Sequence, residues 1–229
     1  MAAAALDQIA AEGGKNAGHA VSQKAYVDRL YAASGAADCG QMDQMYASVV
    51  AESANDIDKL GSIMKLYRRL GCTESDVYFA AAEHAHKLQP TDESAAGCAQ
   101  MCIQKEDYAG AVEYYKQALS LVASEEGKAD YLYRMANVYV AMKNYQQGAA
   151  YAQQALDINA EDGRCYLLLG ICYASAKIYE DPILQRSVFW VACDMFRKAK
   201  TGDAPCTSDA NKLIATYSQY FPSKEDVFF

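Results

Sequence analysis

The chain has 229 residues, of which 52% are hydrophobic and 22% charged, and a formal net charge of −8. That much apolar material supplies a large core and excludes wholesale disorder, and the acidic balance argues against non-specific binding to nucleic acid or anionic lipid, which needs a surplus of Lys and Arg. No apolar run approaches the roughly 18 to 20 residues that cross a bilayer, so no direct membrane insertion is expected, and four prolines, Pro90, Pro182, Pro205 and Pro222, leave long stretches free to be helical.

The opening Met1–Leu6 lacks the charged start and apolar centre of a signal peptide. Leu6–Ala11 reads as the tail of a helix begun earlier, and Val227-Phe228-Phe229 leaves three apolar residues without an element, so both ends are read as cuts from a longer protein. Gly13-Gly14-Lys15-Asn16 shares only its Gly-Gly-Lys core with a phosphate loop, lacks the Ser or Thr after Lys, and is read as a helix stop. Ala25–Tyr31 and Met42–Val50 are amphipathic at helical spacing, and residues 1–55 are assigned to degenerate N-terminal helices.

From there a period near 34 residues organises the chain. Tyr139 to Tyr173, Leu132 to Tyr166 and Met135 to Leu169 keep that step, and Ala85 to Ala118 is 33. The units are 56–91, a weak copy with Leu60, Ile63, Met64 and Tyr67 on one face and a turn at Gly71; 92–128, with Asp107–Leu119 as its second helix; and 129–162. The unit at 163–203 carries ten extra residues within 177–189, which are expected to lengthen its second helix and the preceding loop. Residues 204–229 read as a capping helix and tail, with Thr207, Ser208 or Asp209 as N-cap.

The recurring order of small residue, aromatic, small residue and tight turn resembles the tetratricopeptide repeat family. The resemblance implies an all-α, right-handed superhelix (an α-α solenoid) of antiparallel helix pairs with a C-terminal capping helix, all one continuous domain. It also implies a protein-protein interaction scaffold that binds a peptide or protein segment in a concave groove. The last third further resembles tetratricopeptide proteins of the Bacteroidetes cell envelope, which implies an envelope (periplasmic) location.

The face opposite the packed positions carries Lys65, Arg69, Gln100, Gln104, Tyr133, Arg134, Asn137 and Arg164, a basic and amide-rich stripe suited to an acidic segment or a carboxylate. Some members of the family clamp a chaperone-tail carboxylate with paired Lys and Asn. Ala96 and Gln100 stand at the first of those positions, so that ligand is not expected. The alternative to groove binding is assembly, either self-association or docking to the rest of a longer envelope protein.

No cofactor, metal site or enzymatic activity is expected, since no nucleophile, base and orienting group can be nominated together. His84 and His86 are two apart and point about 200° away from each other on a helix. Cys98 and Cys102 share a face without further ligands at suitable spacing. The eight cysteines are read as reduced and buried, with Cys193 and Cys206 the pair to examine for a bridge. Tyr67, Tyr115, Tyr139, Tyr151 and Tyr173 are assigned to packing between helices.

Overall fold

In a computed structural model the described residues are 38–223 and 225, together with Gly18, His19, Ser22, Gln23, Tyr26, Val27 and Leu30. Gly13–Asn16, most of the first 37 residues and Val227–Phe229 lie outside them. Among the described residues there are ten α-helices and no strand: α1 Cys39–Glu52, α2 Ile57–Arg69, α3 Asp76–Leu88, α4 Asp92–Gln104, α5 Tyr108–Leu121, α6 Glu125–Ala141, α7 Tyr145–Ile158, α8 Gly163–Ser175, α9 Pro182–Gly202 and α10 Thr207–Tyr217. The chain divides into two compact units, one ending at Met101 and the other beginning at Cys102.

Local chemistry places the helix ends. Asp38 and Gln41 close α1 with a capping box, and Asp56, Ser75, Asp107, Ser124, Asn144, Asp162 and Asp181 each accept backbone N–H bonds at the start of the helix that follows. Three helices stop alike. After α2, α4 and α6 a left-handed residue, Gly71 (φ 73°), Glu106 (φ 59°) or Lys143 (φ 58°), turns the chain. The next amide then reaches back to Tyr67, Cys102 or Tyr139, the Schellman arrangement.

In the first unit, Tyr67 is fully buried between Tyr46, edge-on at 6.1 Å, and Tyr78, stacked at 6.4 Å. Asp43 of α1 accepts from Tyr67 Oη at 3.1 Å and from Ser75 Oγ, the same hydroxyl that caps α3. A Cys39–Cys72 disulfide adds a covalent tie between the start of α1 and the α2–α3 turn. This corrects the reading of all cysteines as reduced: six are free and buried, Cys193 and Cys206 among them, and the bridge joins a pair not singled out by sequence.

In the second unit, α6, α7 and α8 enclose Leu132, Ala136, Ala152, Ala155, Leu156, Cys165, Leu168 and Leu169. Small residues set the spacing: an added Cβ on Gly170 would fall within 2.8 Å of three ring atoms of Phe196, so α8 and α9 approach closely at that point. Tyr115 is buried, and Tyr139 stacks on Tyr151 at 5.3 Å. Helix α9 runs 21 residues, against 14 for α5 and for α7. Its Phe196 packs with Ala210 and Tyr217 of α10. The N-cap of α10 is Cys206, in helical conformation and without a side-chain cap, rather than Thr207, Ser208 or Asp209, because the turn Ala204–Cys206 runs directly into the helix.

Candidate functional site

The expected stripe divides between the units. Lys65, Arg69 and Gln100 belong to the first; Gln104, Tyr133, Arg134, Asn137 and Arg164 belong to the second.

In the second unit, Asp130, Tyr133, Arg134 and Asn137 lie on one face of α6, at intervals of three and four. The Asp162 carboxylate caps α8 by accepting from the Arg164 backbone N–H at 3.0 Å and is gripped by the guanidinium through Nε at 3.1 Å and Nη2 at 2.7 Å. Arg164 also lies 3.5 Å from Asp130 and 4.6 Å from the centre of the Tyr133 ring. Arg134 Nε donates to the other oxygen of Asp130 at 2.7 Å, and the Asn137 amide donates to the Tyr133 carbonyl at 3.0 Å.

These contacts set the protonation states. Burial alone would raise the Asp162 carboxyl, yet the bonds from Arg164 hold it below the usual carboxylate range. The Arg164 guanidinium is pushed up, chiefly by its bond to Asp162 and against the effect of burial. Burial also opposes the charge on Arg134, and Asp130 together with Tyr115 outweighs it. Two arginines thus face two aspartates. The sequence reading named the cations and omitted their counter-charges, although Asp130 stands four residues before Arg134, the spacing of a helix ion pair.

The first unit offers a cavity. A cleft of about 1070 Å³ lies along α1 and α2. Met45, Tyr46 and Val49 come from α1, Ile63 and Leu66 from α2, and Tyr26 and Leu30 complete an apolar wall. Tyr26 and Leu30 are exposed, as are Lys65 and Arg69. Lys59, Lys65 and Arg69 line the same cleft beside two carboxylates, Asp58 and Asp56, the latter capping α2 by accepting from the Lys59 backbone N–H at 3.0 Å. Among the described residues none of the three cations makes an ion pair, whereas the neighbouring Arg68 pairs with Glu93 at 2.5 Å. Sequence alone does not mark the apolar wall as a site, because Tyr26, Leu30, Met45, Tyr46 and Val49 fall in the stretch 1–55 assigned to degenerate helices, and Ile63 falls on the packed face of the weak copy 56–91. Their recurrence at three- and four-residue steps in Tyr26–Leu30 and in Met45–Val49 was the available signal.

His86 Nδ1 sits 3.1 Å from Ser94 Oγ. Burial pushes the thiols of Cys165 up to about 12, Cys172 to about 11 and Cys206 to about 11. Among the described residues no group of three or more His, Cys, Asp or Glu side chains is placed to hold a metal ion, and no helix is long and apolar enough to cross a membrane.

No family model matches the chain. A stretch of 76 residues, 33% of this chain, is 37% identical to protein unc-45 homolog B of Xenopus laevis, and the match spans 8% of that protein's length. Two crystal structures of MamA superimpose at TM-scores of 0.55 and 0.54, with 17% and 16% identity, over 74% of this chain and 92% and 84% of theirs. A crystal structure of YrrB, described as a TPR protein with an unusual peptide-binding site, reaches 0.47 with 18% identity over 79% of this chain and 94% of that one. The MamA superpositions show the fold: the chain is a tetratricopeptide-like, all-α solenoid built of helix pairs.

Proposed function

We propose that the chain is a non-enzymatic protein-interaction scaffold that holds a segment of another protein in the α1–α2 cleft. The observation that carries this reading is the pairing of an apolar wall with cations that have no ion pair among the described residues. A segment bearing aromatic or aliphatic anchors beside Asp or Glu satisfies both, its apolar side chains leaving water while its carboxylates meet Lys65 and Arg69. The second unit carries a polar surface of its own at Tyr133, Arg134, Asn137 and Arg164. Within the second unit the arginines supply little net attraction for acid, because Asp130 and Asp162 already hold them.

The envelope location implied by the last third of the sequence belongs to the same proposal. An oxidising compartment would keep the Cys39–Cys72 bond closed.

A random peptide-display selection against the full chain, repeated with a Lys65→Glu/Arg69→Glu variant, tests the reading. Enriched sequences should combine acidic and large apolar residues and lose about ten-fold or more in affinity for the variant. Peptides that bind both proteins equally would remove the cleft from the account.

A further inference from the structure

The two sulfurs of the Cys39–Cys72 bridge differ in their surroundings: Cys39 opens α1 and is exposed, whereas Cys72 is 3% exposed in the α2–α3 turn. The six other cysteines are free and buried, so Cys39 is the exposed cysteine among the described residues. Helix α1 is held on its unit by the buried Met42 and Val50, by the Tyr46 ring edge-on to Tyr67, and by Asp43, which accepts from Tyr67 and Ser75. That helix also furnishes Met45, Tyr46 and Val49, one side of the cleft.

From this placement we infer that the Cys39–Cys72 disulfide is a thiol-exchange clasp that governs whether α1 stays docked, and with it whether the cleft is formed. The inference rests, for its functional consequence, on the cleft being the binding site. The reductant is a dithiol. One of its thiolates attacks the exposed Cys39 Sγ, breaking the bond to Cys72, which leaves as a thiolate and takes up a proton. The second thiol of the reductant then closes on the first and releases Cys39 as a thiol. The protein gains two electrons and two protons, and the dithiol becomes a disulfide. Without the covalent tie, α1 is held by Met42, Val50, the Tyr46–Tyr67 ring contact and the Asp43 bonds, and the wall formed by Met45, Tyr46 and Val49 opens more readily from Leu66 and Arg69.

Amide hydrogen exchange on the full chain, oxidised and after dithiothreitol under native conditions, tests this, with Cys39→Ser as a second route to the open state. Amides of residues 39–52 should exchange about ten-fold faster or more in both open forms, those of α8 and α9 should not change, and reoxidation of the wild type should restore protection. Unchanged exchange across 39–52 in both forms overturns the clasp. A display-selected acidic peptide, titrated in parallel, separates the two claims. Loss of protection together with loss of binding supports both, whereas loss of protection with binding intact upholds the clasp and refutes the cleft as the site.

Discussion

Replacing Gly170 with Ala puts a methyl group where α8 meets α9. The added Cβ would lie within 2.8 Å of Cε1, Cδ1 and Cζ of Phe196, a ring that is fully buried and in contact with α10 through Tyr217. The ring has no solvent to retreat into, so the upper part of the usual overpacking cost applies, about 2–3 kcal/mol. Alanine returns about 1 kcal/mol of helix propensity, which leaves a net loss of about 1–2 kcal/mol. Trp190, the single tryptophan, lies on α9 and contacts Phe221 edge-on at 6.2 Å, so its fluorescence during urea unfolding reports the affected unit. Phe196→Leu in the Gly170→Ala background should cost less than it does in wild type, because it relieves the clash. A Gly170→Ala protein as stable as wild type, with an unchanged denaturant slope, would refute the close helix approach on which the second unit is built.

Other substitutions follow the same logic. Gly61 in α2 has no atom within 4 Å of an added Cβ, so Gly61→Ala should stabilise the first unit by up to about 1 kcal/mol, read by circular dichroism in urea. Lys143 is left-handed without being glycine, so Lys143→Gly should raise stability by about 1 kcal/mol in the Trp190 assay. The folded Asp162 carboxyl sits below its ordinary value, so its stabilisation is present above about pH 4 and lost as pH falls through the lowered value. Asp162→Asn should keep the cap and flatten that acid limb, whereas Asp162→Ala should cost about 1 kcal/mol more through the lost cap, with urea midpoints at pH 7 and pH 3 as the check. At pH 8 the buried, raised thiols of Cys165, Cys172 and Cys206 should resist a disulfide-exchange dye in the native protein and react promptly in urea.

Much of the helix framework was legible because small residues at fixed steps, such as Ala118, Ala152 and Ala155, have to be buried for two helix backbones to meet, and all three are. Terminal detail was less so. Glu106 and Lys143 take a left-handed turn that Gly71 advertises and they do not, because the Schellman hydrogen bonds impose it whatever the side chain. The disulfide was invisible to spacing: Cys39 and Cys72 are 33 residues apart, but Cys172 and Cys206 are 34 apart and remain free. Exposure of Cys39, a property of the folded chain, distinguishes the bridged pair. The electrostatic field around the expected stripe was not legible in the sequence, since the pairing of Arg164 with Asp162 depends on the capping geometry at the start of α8.

The cleft itself can be observed through its methionine. With methyl-labelled methionine, Met45 reports the α1 wall, while Met135 and Met195 report the second unit. Titration with a display-selected acidic peptide should shift the Met45 signal, leave those of Met135 and Met195 in place, and have no effect on Met45 in Lys65→Glu/Arg69→Glu. A peptide that binds while Met45 stays fixed and the second unit's methionines move would contradict the assignment of function to the α1–α2 cleft.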